Sequence, residues 1–274
     1  MSEQWSAQFG HANEWTEFAK ANPVFLERLP NLRTALDIAF NRTGFTTEAI
    51  DELVFFSGRL CVEDFMEILL LSGNGYGVGA MKILRGMYER AVTAQYLHLH
   101  PEEEEAFFDF DWVSLHRLTK AIEGTMGKNV LPEDKLREVE TNYRNVKDQF
   151  MVTECKKCGT KRLNHTWCRL DFVSMANAAG KIGQSIVPAY YLPMRHAHST
   201  VGAIMDRLEQ SAAGGLAFDA GSQRVWVRDA LKAAHGVLLN VLELQGERFK
   251  LASLDDPLQK CVEDFREIWS REGD

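Results

Sequence analysis

Three groups of residues in this chain of 274 carry side chains able to do chemistry together. The first is Arg85, Glu89 and Thr93, spaced i, i+4, i+8, which on a helix puts all three on one face. The segment that holds them, Asn74 to Pro101, is otherwise apolar almost all round: Met81, Ile83, Leu84, Met87, Tyr88, Val92, Tyr96 and Leu97. It reads as a central helix with neighbours on most sides. Charges on such a helix need partners, because burying either one alone is costly. Tyr191 and His198, from the run Tyr190-Tyr191-Leu192-Pro193-Met194-Arg195-His196-Ala197-His198, are the natural ones. His196 and His198 stand at i, i+2 and diverge, so only one of them faces the interior. Arg85, Glu89, Tyr191 and His198 therefore form the candidate catalytic or ligand-binding cluster. The guanidinium suits an anion and the imidazole a proton transfer. The same four residues also suit a buried polar network that holds helix register.

The second group is Cys155-Lys156-Lys157-Cys158-Gly159, followed by His165 and Cys168. Cys-x2-Cys-Gly is a turn that presents two thiolates to one metal, and His165 with Cys168 completes a tetrahedral set. The expectation is a structural zinc on Cys155, Cys158, His165 and Cys168. Catalytic zinc is not expected, because all four positions are protein ligands. The competing reading is a loop with incidental, reduced cysteines.

The third group, Arg228 and His235 on one helical stretch, offers an alternative catalytic pair of phosphate-binding arginine and acid/base histidine.

These residues must be positioned by helices. Strong helical patterns cover about 47–72, the central segment, a first turn of proline and acids at 101–105, then 132–150, 222–248 and 255–269. Pro23 and Pro30 punctuate short N-terminal helices, with 31–41 as one of them, and residues 186–213 read as helical with irregular first turns at Pro188 and Pro193. The glycines from Gly73 to Gly79 lie between helices, with no strand before and no Gly-Lys-Ser/Thr after. They read as a turn with Asn74 as a helix cap, not a phosphate loop. Only 151–166 suggests a small hairpin, and 214–221 reads as a loop. The fold class is all-α: a single helical-bundle domain of about eight helices with an irregular cysteine-containing loop. Residues 1–45 are N-terminal helices packed on the body, and 46–274 form the bundle core.

The net charge of −8 argues against DNA or any general affinity for nucleic-acid backbone or anionic membrane. The apolar run at 68–71 is far too short to span a bilayer. The N-terminus lacks a basic, then apolar, leader. Five cysteines, an odd number, fit a reducing cytoplasm with Cys61 and Cys261 buried as thiols. Trp5, Trp15 and Trp269 offer exposed aromatic surface for a homodimer.

At the central helix the sequence resembles a large uncharacterised bacterial all-helical family with an R-x-x-[FY]-E … Y-L signature. Here that signature is Leu84-Arg85-Gly86-Met87-Tyr88-Glu89 through Tyr96-Leu97. His165-Thr166-Trp167 with Ser174-Met175-Ala176 resembles that family's tryptophan segment. Tyr191 to His198 resembles its late Tyr-x3-Ser-x2-His element, with Arg195 where serine is usual. The resemblance covers about residues 50 to 240 and implies a helical domain with a polar cluster, but no established activity. Arg228 and His235 resemble the Arg/His ribonuclease motif of HEPN domains, which implies a site shared across a dimer. Two function classes follow. One is a sensor or interaction module whose cluster recognises a small molecule or RNA. The other is a HEPN-like, metal-independent ribonuclease or related phosphoester-cleaving enzyme. Whether the chain is an enzyme stays open at this point.

Overall fold

The structure, a computed structural model, describes residues 13–42, 48–127, 130–155, 157–198, 200–210, 214–218 and 224–270. Among these the chain is all-α, with eleven α-helices and two short antiparallel hairpins. The backbone divides into two units: residues 1–99 with 175–274, and residues 100–174.

The larger unit is built on three long helices. These are α3 (Ala49–Gly73), α4 (Gly77–Leu99) and α10 (Val227–Phe249), which pack on one another. Their facing residues, among them Phe65, Ile68, Met81, Leu84, Met87, Leu97, Leu231, Leu238 and Leu242, are fully buried. Each contributes about 1.5–3 kcal/mol relative to an exposed position. Tyr88 is buried with them and donates its hydroxyl to the Ile182 carbonyl at 3.0 Å. Asp64 accepts from Arg90 Nε at 3.0 Å, tying α3 to α4 through an ion pair. Where α3 crosses α10, a Cβ at Gly58 would sit 2.8 Å from the Phe40 ring and from Gln245. Only glycine permits that approach. The crossing is fixed by Gln245, which is fully buried and donates to the Val54 carbonyl.

Around this core lie α1 (Glu14–Ala21), α2 (Pro23–Phe40) and α11 (Asp255–Trp269). Pro30 was expected to break the N-terminal helices, yet α2 runs through it for 18 residues. A proline costs its helix one donor and a clash with the preceding turn. Here burial of Phe25, Leu32, Leu36 and Phe40 on one side of α2 offsets that. Asn74 caps the end of α3, not the start of α4: its side-chain amide donates to the Leu70 carbonyl at 2.8 Å. Trp269 is also corrected. It is 3% exposed, whereas Trp15 is 42% exposed; Trp5 and Phe9 lie outside the described residues.

Between Met175 and α10 the chain is irregular. α7 (Phe172–Ala178) leads into a 3₁₀ segment, Gly180–Ser185, and a π-helical turn, Val187–Tyr191. Then come α8 (Leu192–Ala197) and α9 (Val201–Met205). The helix expected to run to 213 stops at Met205. Leu208–Gln210 and Leu216–Phe218 instead form a hairpin, β3 with β4.

The smaller unit holds α5 (Glu104–Met126), α6 (Glu133–Val146) and a hairpin of β1 (Met151–Thr153) with β2 (Lys161–Leu163). Its core is Phe110, Val113 and Phe150, with Tyr143, Leu163 and Trp167 packed against them. The acids after Pro101 open α5 through a 3₁₀ turn, as the helix dipole favours. No helix among the described residues is long and apolar enough to cross a membrane.

Candidate functional site

α4 carries Arg85 and Glu89 one turn apart on a face left partly uncovered. Their spacing lets Arg85 Nε donate to Glu89 Oε1 at 2.9 Å. The arginine side chain is 21% exposed and the glutamate 40%, so solvent reaches the pair. Thr93, the third member of the stripe, is bonded to the helix itself through the Glu89 carbonyl.

The second wall of the site comes from the irregular segment. Arg85 Nη1 donates to His198 Nε2 at 2.6 Å. A guanidinium has no lone pair to offer, so the imidazole accepts, and in this arrangement its proton sits on Nδ1. The Tyr190 ring lies under the guanidinium, 5.0 Å from centroid to Cζ. This arrangement stabilises a cation on an aromatic face by about 0.5–1 kcal/mol at an exposed site.

The aromatic partner is thus Tyr190 and not Tyr191, which is 44% exposed and stacks edge-on against Tyr190. The reason is the π-helical turn at Val187–Tyr191. Its wider winding shifts the side-chain phase by about one residue, and no α-helical periodicity reveals that. The histidines separate as their spacing requires. His196 is buried against Trp226, ring to ring at 5.0 Å, and burial lowers its pKa. His198, just past the end of α8, is exposed and turned to Arg85.

Two features complete the electrostatics. Arg85 Nη2 makes no hydrogen bond among the described residues, and Lys82, three residues earlier on α4 and exposed, makes no ion pair among them. Arg195 and Arg207 add positive field around α8, while Arg195 is bound to Asp206 at 2.9 Å. Sequence reasoning passed over Lys82 because an exposed lysine is ordinary. Its i, i−3 position relative to Arg85 was the readable signal.

The alternative pair is not brought together in a cleft. Arg228 is exposed and lies 5.6 Å from the Trp269 ring. His235 is 3% exposed, enclosed by Phe25, Phe65, Phe265 and Trp269, and accepts from Trp269 Nε1 at 3.2 Å on Nδ1. Burial pushes its pKa down from 6.5 to about 4. It is a buried, neutral core residue.

Of the four cysteine-segment residues, two come together. Cys155 and Cys158 share the tip of the β1–β2 hairpin. Cys168 is buried, with Sγ accepting from Leu170 N–H at 3.4 Å, and His165 is exposed. No group of three or more His, Cys, Asp or Glu among the described residues is placed to hold a metal ion. Cys61 and Cys261 are buried, and burial pushes their thiols up to about 12 and about 11.

In comparison with known proteins, the model of a family of unknown function, DUF5677, matches residues 55–215. That range holds Arg85, Glu89, Tyr190, His198 and the cysteine segment, and it leaves out Arg228 and His235. No curated protein and no solved structure matches the chain.

Proposed function

From the premise that the chain belongs to this family of unknown function, we propose that it is a binding module that recognises a small anion-bearing ligand through Arg85. One observation carries the reading: Arg85 is oriented by Glu89, His198 and Tyr190, yet among the described residues its Nη2 makes no hydrogen bond, and exposed Lys82, three residues earlier on α4, makes no ion pair. An arginine held in place from behind, with donors left over, is pre-organised for a carboxylate or phosphate oxygen. Glu89 neutralises part of the charge, which limits binding of simple salt anions and favours a ligand that also presents a hydrogen-bond donor to Glu89.

The Arg228/His235 form of a ribonuclease is not adopted, because a histidine enclosed by four aromatic rings cannot exchange protons with a substrate. Isothermal titration of the full chain with phosphomonoesters and with amino-carboxylates, at low salt, tests the reading. Saturable binding that weakens severalfold in Lys82→Ala is expected, since Lys82 supplies one charge at the rim. Binding to neither class, or binding indifferent to Lys82 and to Arg85 together, contradicts it.

A further inference from the structure

Cys155 and Cys158 play no part in the Arg85 site. They sit where the β1–β2 hairpin reverses, closed by Glu154 N–H to the Thr160 carbonyl at 2.8 Å and Gly159 N–H to the Cys155 carbonyl at 2.9 Å. Gly159 makes the reversal possible with a left-handed φ of 72°. The turn brings Cys155 and Cys158, spaced i, i+3, onto one reversal, closed on the Cys155 carbonyl by Gly159 N–H. Thr160 Oγ1 lies 2.9 Å from Cys158 Sγ. Cys158 is exposed and Cys155 half-buried, whereas Cys61, Cys168 and Cys261 are buried. The hairpin therefore offers one accessible sulfur with a second, less accessible one three residues away on the same turn. That spacing and that difference in exposure suit an attacking and a resolving thiol.

We propose that Cys155 and Cys158 form a redox-active dithiol that exchanges with low-molecular-weight disulfides and closes a disulfide at the hairpin tip. In the first step the Cys158 thiolate attacks one sulfur of the small disulfide. A Cys158–S–S–R bond forms, the R–S–S–R bond breaks, and one RS⁻ leaves. In the second, Cys155 gives its proton to solvent and attacks Cys158 Sγ, expelling the second RS⁻. The dithiol is oxidised by two electrons, and the small disulfide is reduced to two thiols that take up two protons. A loop between two short strands tolerates the change, and the buried thiols are out of reach of the reagent.

The test uses the reduced full chain with oxidised glutathione, without oxygen, read by intact mass and peptide mapping. Wild type is expected to lose two hydrogen masses within the peptide holding both cysteines, with no lasting adduct. Cys155→Ser is expected to accumulate one glutathione on Cys158, because nothing resolves it. Cys158→Ser is expected to react at least about tenfold more slowly. Neither residue is buried in the core, and circular dichroism checks that the variants fold. A parallel titration with zinc alone separates the metal reading. Tight zinc binding that protects both thiols overturns the proposal, as does a stable adduct on wild type or oxidation at Cys61, Cys168 or Cys261.

Discussion

Arg85→Ala is expected to weaken ligand binding by about 10- to 100-fold, because a hydrogen bond to a charged group is worth about 1.5–3 kcal/mol. The same change is expected to cost only about 1–2 kcal/mol of stability. The Arg85–Glu89 pair is partly exposed, which keeps its own contribution at about 1 kcal/mol or less. The Tyr190 stacking adds a comparable amount. A sealed pair behaves differently: removal of one partner strands a charge and costs about 3–5 kcal/mol, while replacing both with apolar residues is nearly neutral. Urea unfolding of wild type, Arg85→Ala and the double apolar variant at 85 and 89, beside calorimetry, distinguishes the two. A severely destabilised single variant rescued by the double one ends the case for Arg85 as a binding residue.

The second large effect belongs to His235 and acts on stability against pH. Its folded pKa is depressed to about 4 from 6.5 by burial alone. Between those values the unfolded chain binds a proton that the folded one does not, so stability falls as pH falls through this interval. From about pH 7.5 to about pH 4.5, this site alone removes about 2–3 kcal/mol. His98 and His196 are lowered too, by burial first, and deepen the same loss. His235→Gln keeps an acceptor for Trp269 Nε1 and removes the titration. The variant is therefore expected to lose about 2–3 kcal/mol less than wild type over that range, measured by urea unfolding at the two pH values. Parallel pH profiles for the two proteins contradict the enclosure of His235.

What was legible in the sequence follows from periodicity. α3, α4, α10 and α11 are long, and their apolar residues recur at helical spacing, so their existence and core faces could be read directly. The pairing of Arg85 with Glu89 is local and needs only the spacing of one helix turn. The hairpin at 151–163 was signalled by the loss of helical rhythm. Illegible were the features set by tertiary packing. α2 passes through Pro30 because its buried face outweighs a missing donor. The π-helical turn exchanges Tyr191 for Tyr190. The β3–β4 hairpin replaces an expected helix end, with only Gly214 and Gly215 as a hint. His235 looked like chemistry by its type, but four aromatic rings distant in sequence make it core.

The central claim is that a ligand anion touches Arg85. The direct measurement is an NMR titration of the isotope-labelled full chain with a phosphomonoester, following the Arg85 Nε–H and the His198 ring, with Arg85→Lys to assign the signal. A saturable shift of both groups, absent from the arginine region of the Arg85→Lys spectrum, is the expected result. An Arg85 signal that stays fixed while ligand saturates elsewhere, or while no ligand binds at millimolar concentration, contradicts the account.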